Sequence, residues 1–341
     1  MHTPGDAINM QPLAVTLGDP SGIGPEVIAK AWAGRDAAGL PPFFAVGDMR
    51  SIGAVWDGPV TRISDPSACT GLFDLALPCL HVDEGVSALP GLPSLEGARC
   101  AFHALEIATG LVRAESAGAL VTGPISKSQL AAVGFTYPGQ TEFVAERCGI
   151  ARANTVMMLA GPSLRVVPLT IHLALRDVPH ALSIELIRSR AHVTARGLYR
   201  YFGIKHPRLA VAALNPHAGE SGHMGDEEER IIAPAIASLK EDGLDISGPY
   251  PADALFTARA RGTYDAALCM YHDQALIPIK ALDFDEGVNI TLGLPIVRTS
   301  PDHGTAFDIA GQGRADPGAM IAAIAMARDA QLCRRACNGG S

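Results

Sequence analysis

Residues 13–26 read Leu-Ala-Val-Thr-Leu-Gly-Asp-Pro-Ser-Gly-Ile-Gly-Pro-Glu, an apolar β-type run that passes through a glycine-rich turn into the start of a helix. Pro25 suits the first helical position, where its missing N–H is not needed. The glycines let backbone amides approach a ligand or the opposite domain, and the amino terminus of a helix favours an anion. The stretch is not a GxGxxG fingerprint, so a tight structural turn is an equally good interpretation.

The same alternation of strand and helix continues along the chain and indicates an α/β fold with a largely parallel sheet. Two apolar runs flank Gly161-Pro162 and predict an antiparallel hairpin, so we expect a mixed sheet. The Pro-rich segment 89–93 is expected to be a linker-like loop. The predicted strands are residues 13–17, 43–46, 119–122, 155–159, 164–172, 209–214, 266–271 and 288–292. The predicted helices are residues 98–114, 183–202, 227–239 and 317–335.

Length and composition point to two folded lobes. The chain has 341 residues, of which 48% are hydrophobic and 18% are charged, so it carries ample apolar surface for burial. Since a single hydrophobic core stops growing near about 250 to 300 residues, we expect two α/β domains with a cleft between them.

Charge and targeting signals argue against several partners. The net charge of −8 and the lack of a Lys/Arg cluster disfavour nucleic acid. No apolar run approaches the roughly 20 residues that cross a bilayer, and the start MHTPGDAINMQP lacks the features of a signal peptide, so we expect a cytoplasmic protein without a membrane partner. Seven scattered cysteines with no CxxC pair are expected to be reduced thiols.

Three histidines follow predicted strands and are candidate metal ligands. They are His172, His217 and His272, each flanked by polar or Gly/Pro loop residues. One such histidine is more often a hydrogen-bonded core residue, but three are harder to explain in that way. Neutral imidazoles bind divalent transition ions and leave positions open for substrate oxygens. Long-range histidine sets have no fixed spacing, so the pattern alone supports the metal site only weakly.

Further polar groups lie near the predicted carboxyl ends of strands, where open α/β sheets bind ligands. Val121-Thr-Gly-Pro-Ile-Ser-Lys127 has hydroxyls and a lysine, although a surface lysine is usually only solvated. Lys280, Asn289 and Arg298 could hold a carboxylate or phosphate, or they could be ordinary surface side chains of a β-rich region. In the glycine-rich loop 302–313, Asp308 could bind a ribose or cap the turn.

Taken together, these motifs resemble the 4-hydroxythreonine-4-phosphate dehydrogenase family from about Leu13 to the final helix. The most specific are Gly-Asp-Pro-Ser-Gly-Ile-Gly-Pro-Glu, Asn-Pro-His-Ala-Gly-Glu with Gly222-His-Met-Gly225, Tyr-His-Asp-Gln, and Asn-Ile-Thr-Leu-Gly-Leu-Pro with Arg-Thr-Ser. The loop 302–313 also resembles the adenosine-binding loop of isopropylmalate and isocitrate dehydrogenases. The resemblance implies their fold, with two α/β/α lobes, mixed sheets and an active site in the interdomain cleft at a dimer interface. The expected lobes are residues 1–127 plus 289–341, which carry the nucleotide loop, and 128–288, which carry metal, substrate and dimer contacts.

The resemblance also implies the activity, cofactors and site. We expect a homodimer that oxidises a small phosphorylated amino acid with NAD or NADP and one divalent metal (Zn, Mg, Mn or Co) per active site. The metal is expected to be bound by His172 of one subunit with His217 and His272 of the other. The implied substrate contacts are Gln140, Thr141, Lys280, Asn289 and Arg298. The implied cofactor contacts are His303, Gly304, Thr305, Ala306, Asp308 and Gly311.

Two residues have candidate catalytic roles, Lys280 and Asp273. Lys280 would hold a carboxylate or phosphate and can also move a proton if desolvated, while Asp273 would orient His272 or relay a proton; the proton acceptor stays open. The expected reaction is oxidation to a 3-oxo acid followed by decarboxylation to 3-amino-2-oxopropyl phosphate, in pyridoxal 5'-phosphate biosynthesis.

One position departs from the family pattern. The usual Gly-His-Thr-Glu is Gly139-Gln-Thr-Glu142 here, and the glutamine cannot carry a proton or a charge. A paralogous dehydrogenase of threonate or erythronate 4-phosphate, or of a dihydrodiol acid, therefore stays open. Phosphate acyl transfer, with Ser126 and Lys127 cradling phosphate, is a more remote alternative, and a non-catalytic binding protein is more remote still.

Overall fold

A computed structural model describes residues 10–85 and 89–339 of the chain. The fold divides into two compact units. Unit 1 contains the chain up to Gly149 together with Leu294–Gln331, and unit 2 contains Ile150–Gly293 together with the chain from Leu332 onward. No helix in the described ranges is long and apolar enough to span a membrane.

Twelve strands form the sheets of the described chain. Their bounds are β1 Leu13–Thr16, β2 Phe43–Gly47, β3 Val60–Ile63, β4 Leu77–His81, β5 Leu120–Thr122, β6 Val156–Ala160, β7 Arg165–Pro168, β8 Arg208–Ala212, β9 Asp245–Tyr250, β10 Ala266–Cys269, β11 Val288–Leu292 and β12 Arg298–Pro301.

Fourteen α-helices cover these strands in the described chain. Their bounds are α1 Gly24–Ala33, α2 Arg35–Ala38, α3 Met49–Gly53, α4 Cys69–Leu72, α5 Leu95–Arg113, α6 Lys127–Ala132, α7 Gln140–Arg147, α8 Val178–Ala181, α9 Ile184–Phe202, α10 Ala233–Glu241, α11 Ala252–Leu255, α12 Ala258–Arg261, α13 His272–Leu282 and α14 Gly318–Gly339. Serine hydroxyls cap the two long helices α5 and α9, because Ser94 accepts from Gly97 N and Ser183 accepts from Leu186 N.

The strands of unit 1 run in the order β3-β4-β2-β1-β5-β12, and all of these neighbours are parallel. Every residue of β1 and β2 is buried, which explains their continuous apolar sequence. The parallel arrangement places all the carboxyl ends of these strands, and the loops that follow them, on one edge of the unit 1 sheet.

The strands of unit 2 run in the order β11-β6-β7-β10-β8-β9. Strand β6 is antiparallel to both β7 and β11, while β7, β10, β8 and β9 are mutually parallel along the order. The α/β class and the mixed sheet predicted from the sequence are therefore confirmed, as is the hairpin at Gly161-Pro162.

At the start of β8, Asp265 accepts hydrogen bonds from the backbone nitrogen of Arg208 at 2.8 Å and from its guanidinium at 3.0 Å.

The boundaries between the units differ from the predicted lobe boundaries at 127/128 and 288/289. Residues 128–149 belong to unit 1, because Phe135 and Phe143 pack edge-on against Phe102 of α5 at ring-centroid distances of 5.4 and 5.6 Å. Strand β11 belongs to unit 2, because all five of its residues pair with β6. The end of the chain from Leu332 also groups with unit 2 rather than with the first lobe.

All eight predicted strands and all four predicted helices exist, but some details of the prediction are wrong. The strand predicted at 164–172 ends at Pro168, so His172 lies in the loop beyond it. Four strands were not predicted: β3, β4, β9 and β12. Helix α13 was also missed, in part because it contains Pro278. The segment 89–93 is a loop, as predicted, and it lies within unit 1, where Gly91 N donates to Ser21 O at 2.8 Å.

Candidate functional site

The glycine-rich turn between β1 and α1 is packed against neighbouring backbone. A Cβ on Gly18 would lie 2.1 Å from Pro124 O, and one on Gly24 would lie 1.9 Å from Leu17 O, so only glycine fits at both positions. The amides of the turn are already used: Asp19 N donates to Pro124 O, and Ile23 N donates to Thr305 O. The tight structural turn therefore describes this stretch better than a phosphate cradle does.

Three of the predicted substrate residues belong to unit 1, and two of them, Arg298 and Thr141, are in contact. Arg298, at the start of β12, is only 4% exposed, and its guanidinium donates to Thr141 Oγ1 at 3.0 Å and to Thr122 Oγ1 at 2.7 Å. Burial lowers the pKa of Arg298 to about 10, although the charge of Glu142 opposes this effect. Unit 1 thus provides a buried cation with hydroxyl neighbours, a suitable donor for a carboxylate or phosphate.

Gln140 lies beside this group, on the first turn of α7. Its side chain is 9% exposed, and Nε2 donates to Gly123 O at 3.1 Å. Its Oε1 is buried without a hydrogen-bond partner among the described residues. Because Nε2 is held by a carbonyl, the amide offers its oxygen, a pure acceptor, to any ligand that reaches it.

The predicted cofactor loop follows β12 in unit 1. His303 Nδ1 lies 3.1 Å from the carbonyl of Gly304, and its Nε2 is buried without a hydrogen-bond partner in the described chain. Thr305 O accepts from Ile23 N, which ties the loop to the start of α1. Ala306 has a left-handed backbone with φ 41°, a conformation that costs free energy for alanine.

The far end of the same loop is fixed more firmly. Gly311 has φ 73°, and a Cβ there would lie 2.6 Å from Pro90 Cβ. Asp308 is exposed, and its backbone carbonyl accepts from Gln312 Nε2 at 2.6 Å. Asp308 therefore stands at the surface of unit 1, where its carboxylate is open to a hydroxyl-bearing ligand.

The three candidate metal ligands of unit 2 follow three adjacent parallel strands. His172 comes after β7, His272 begins α13 after β10, and His217 lies in the loop after β8, where the sheet order is β7-β10-β8. The sequence therefore correctly placed all three near the carboxyl edge of one sheet, although none is the last residue of its strand.

His172 and His272 are brought together. Their ring centroids are 6.1 Å apart, and both line a cavity of about 260 Å³ together with Thr170, Leu173, Leu175, Val178, Tyr271 and Asp273. Asp273 Oδ1 lies 2.6 Å from His272 Nδ1, a contact that favours the tautomer with Nε2 free to bind an ion. Two imidazoles and a supporting carboxylate fit a divalent cation chemically.

His217 lies in a strained loop instead of joining this pair. His217, Ala218, Glu220 and Ser221 all have positive φ, between 44° and 56°, which is unusual for residues other than glycine and is common at functional sites. Within the described residues, no group of three or more His, Cys, Asp or Glu side chains is arranged to hold a metal in one chain. The resemblance paired His217 with His272, whereas here His172 is the neighbour of His272, so a ligand set shared between subunits stays a prediction.

Lys280 and Asn289 are also in unit 2. Lys280 is exposed on α13, two turns beyond His272, which is about 12 Å along a helix. Asn289 lies on β11, and its Oδ1 is buried without a hydrogen-bond partner in the described chain. The predicted substrate residues are thus divided between the two units.

Two buried residues of unit 2 were missed by the sequence reasoning. Gln274 joins the ends of β10 and β8 through its amide, and Glu228 accepts from Leu214 N and Asn215 N, both at 2.8 Å, at the base of the His217 loop. The signal available for Gln274 was its place in the Tyr-His-Asp-Gln motif. Glu228 lies in a single π-helical turn, Glu228–Ile232, which has no readable pattern in the sequence.

The parallel strands and the histidines, arginine and polar amides that follow them define an α/β enzyme with its ligand-binding groups at strand ends. Residues 47–327 match the family model described as pyridoxal phosphate biosynthetic protein PdxA. The 4-hydroxythreonine-4-phosphate dehydrogenase of Zymomonas mobilis is 58% identical over 327 residues, which cover 96% of this chain and 98% of that protein. The chain therefore belongs to the PdxA family and is an oxidoreductase, and the predicted resemblance is confirmed.

Solved structures agree with this assignment. A crystal structure of 4-hydroxythreonine-4-phosphate dehydrogenase from Klebsiella pneumoniae is 35% identical, covers 94% of this chain and 99% of its own, and superposes with a TM-score of 0.84. A terephthalate 1,2-cis-dihydrodiol dehydrogenase from Burkholderia xenovorans is 28% identical, covers 94% of this chain and 98% of its own, and has a TM-score of 0.64.

Proposed function

We propose that this chain is a 4-hydroxythreonine-4-phosphate dehydrogenase of pyridoxal 5'-phosphate biosynthesis. It would oxidise the 3-hydroxyl of 4-hydroxythreonine 4-phosphate with NAD or NADP. The 3-oxo acid would then lose carbon dioxide to give 3-amino-2-oxopropyl phosphate. The observation that carries the proposal is the 58% identity, over nearly the full length of both chains, to the Zymomonas mobilis enzyme.

The proposed metal ligands are His172, His217 and His272, shared between the subunits of a homodimer. The Asp273 carboxylate beside His272 supports the role of His272 as a ligand. The imidazoles of His172 and His272 are adjacent within one chain, which supports both as ion ligands, whereas the sharing between subunits rests on the family resemblance. When bound, a divalent cation (Zn, Mg, Mn or Co) supplies Lewis acidity that lowers the pKa of a substrate hydroxyl and favours decarboxylation. Asp273 would hold the imidazole of His272 in one orientation and tautomer.

Charged and neutral side chains of the proposed substrate site would bind different groups of the substrate. The buried guanidinium of Arg298 and the ammonium of Lys280 would bind the carboxylate and phosphate, with Thr141 and Asn289 as neutral partners. Gln140 would accept a hydrogen bond from a hydroxyl or ammonium of the substrate through its unpartnered oxygen. Lys280 remains the candidate to move a proton in the reaction.

The proposed cofactor site is the loop that contains His303, Gly304, Thr305, Ala306, Asp308 and Gly311. Its support is the buried, unpartnered Nε2 of His303 and the exposed Asp308. The nicotinamide cofactor supplies hydride acceptance when bound. We expect the homodimer to work in the cytoplasm.

The test is absorbance at the reduced-nicotinamide band with 4-hydroxythreonine 4-phosphate and NAD, before and after chelation and metal add-back. We expect metal-dependent reduction, which His217→Ala and His272→Ala abolish together with metal content. His206→Ala, at an exposed position of unit 2, is the matched control and keeps both. Unchanged activity and metal content in the His217 and His272 variants would refute the proposed site.

A paralogous activity is the second candidate, and Gln140 is the observation that favours it. The Burkholderia xenovorans relative is a terephthalate 1,2-cis-dihydrodiol dehydrogenase, so related chains act on more than one hydroxy acid. Initial rates with threonate and erythronate 4-phosphates and with a dihydrodiol acid separate the candidates. A higher kcat/KM for any of these than for 4-hydroxythreonine 4-phosphate would overturn the pathway assignment.

A further inference from the structure

The strand ends that precede the three histidines are joined by side-chain hydrogen bonds. Thr170 Oγ1, two residues beyond the end of β7, donates to Met270 O at 2.7 Å, just beyond the end of β10. Gln274 Nε2 donates to Ala213 O at 2.7 Å, beyond the end of β8. Each bond crosses the gap between two adjacent strands just where the sheet's own backbone hydrogen bonds stop.

Gln274 is the central residue of this arrangement. It is 7% exposed, its Oε1 accepts from Met270 N at 2.7 Å, and its Nε2 reaches Ala213 O. A primary amide is suited to this task because it accepts at one atom and donates at the other without carrying a charge. Both of its partners are backbone groups, so Gln274 fixes the main chain rather than another mobile side chain.

The fixed backbone groups lie very near the candidate ligands. Met270 is two residues before His272, and Ala213 is four residues before His217. Next to Ala213, the backbone nitrogens of Leu214 and Asn215 donate to Glu228, which is itself 4% exposed. The start of the His217 segment is therefore held by two buried side chains, Gln274 and Glu228.

We propose that Gln274 is a positioning residue that sets the spacing between the His272 and His217 segments, and through it the affinity of the enzyme for its divalent cation. The inference rests on the proposed function, because it takes the three histidines as the ligands. Gln274 itself does not bind the ion. Its amide holds the two backbone segments at the separation that the metal geometry requires.

The test is Gln274→Met in the full-length protein, with Co²⁺ titrated as a visible probe. Methionine keeps the volume but leaves Met270 N and Ala213 O without their partner, so the two strand ends shift. Loss of groups that orient metal ligands typically costs about 10- to 100-fold in metal affinity. We expect Co²⁺ affinity to fall at least about tenfold and the d–d absorption bands to change shape.

The matched control is Tyr264→Phe in the same unit. Tyr264 is 7% exposed, and its hydroxyl donates to Leu255 O at 3.0 Å, so the variant loses a buried hydrogen bond away from the strand ends. We expect it to lower the unfolding midpoint in urea while it keeps wild-type Co²⁺ affinity and spectrum. Wild-type affinity and spectrum in Gln274→Met would overturn the inference, because Gln274 would then serve stability alone.

Two further variants keep the outcomes distinct. His272→Ala tests the ligand assignment: unchanged Co²⁺ binding there would refute the proposed metal site, whatever Gln274 does. If Gln274→Met does not fold, Gln274→Glu replaces it, because an ionised carboxylate keeps the acceptor for Met270 N and loses the donor for Ala213 O. Reduced Co²⁺ affinity in Gln274→Glu supports the inference, and unchanged affinity refutes it.

Discussion

The substitution Gln140→Met removes both polar atoms of a buried amide at nearly constant size. In the free protein it loses the hydrogen bond to Gly123 O, which contributes about 1 kcal/mol. It also removes a buried oxygen that has no partner in the described chain, an arrangement that costs about 1 to 3 kcal/mol. These two changes oppose each other, so we expect the free energy of unfolding to stay within about 2 kcal/mol of the wild-type value.

Catalysis, in contrast, should change in one direction, because the substrate loses a hydrogen-bond acceptor. If Oε1 accepts a hydrogen bond from a charged or neutral donor of the substrate, its loss costs about 1 to 3 kcal/mol, or roughly 5- to 150-fold in kcat/KM. The assay is the initial rate of NAD reduction at varied substrate, paired with urea unfolding of the same preparation. A kcat/KM within twofold of wild type would refute the substrate-binding role of Gln140.

Gln331→Met is the matched control for this experiment. Gln331 is also a buried amide of unit 1, 4% exposed, with an unpartnered Oε1 and an Nε2 that contacts Gln11 O at 3.5 Å. We expect it to change stability as little as Gln140→Met and to leave kcat/KM unchanged. Equal losses of kcat/KM in both variants would mean that removing any buried amide of unit 1 lowers kcat/KM. The position of Gln140 would then have no special role in substrate binding.

Four other substitutions test the structure. Gly24→Ala puts a Cβ 1.9 Å from Leu17 O and should lower the unfolding midpoint or prevent folding, whereas Gly110→Ala, in open space on helix α5, should stabilise by about 0.5 to 1 kcal/mol in urea unfolding. Burial would raise the pKa of Asp265, but the hydrogen bonds and charge of its arginine partner outweigh burial and lower it. Asp265→Asn should therefore lower the free energy of unfolding by about 1 kcal/mol at pH 6. This difference should disappear as the pH falls through the lowered pKa of folded Asp265, because the carboxyl is then protonated in the folded protein and also in the unfolded protein, where its pKa is about 3.9. Asp273→Asn should weaken Co²⁺ binding about tenfold or more without lowering the unfolding midpoint of the metal-free protein.

The sequence predicted the parts of the fold that depend on local patterns. The buried strands β1 and β2 are almost wholly apolar, β11 alternates apolar and polar residues, and α5 and α9 begin at serine caps. Strand β12 has the sequence Arg-Thr-Ser-Pro, and its strand character comes from pairing with β5, far away in sequence. Such strands have no local signal, because the tertiary partner supplies the stabilisation.

The candidate site was predictable to a similar degree. The position of His172 and His272 after strands follows from sequence, since parallel strands share a carboxyl edge. The contact of Arg298 with Thr141 and the bridge made by Gln274 depend on which strands are neighbours, which periodicity does not encode. The boundary at Gly149 was missed for the same reason: the aromatic packing of Phe135 on Phe102 becomes visible only in three dimensions.

The order of the segments along the chain also affects how the protein folds during synthesis on the ribosome. Unit 1 is built from two pieces of chain separated by the roughly 140 residues that form most of unit 2. At about 5 to 20 residues per second, roughly 7 to 30 s pass after its first piece is made before synthesis reaches Leu294. During that interval β5 lacks its neighbour β12, so nascent unit 1 exposes an unpaired apolar strand edge. We expect chaperones to bind this edge.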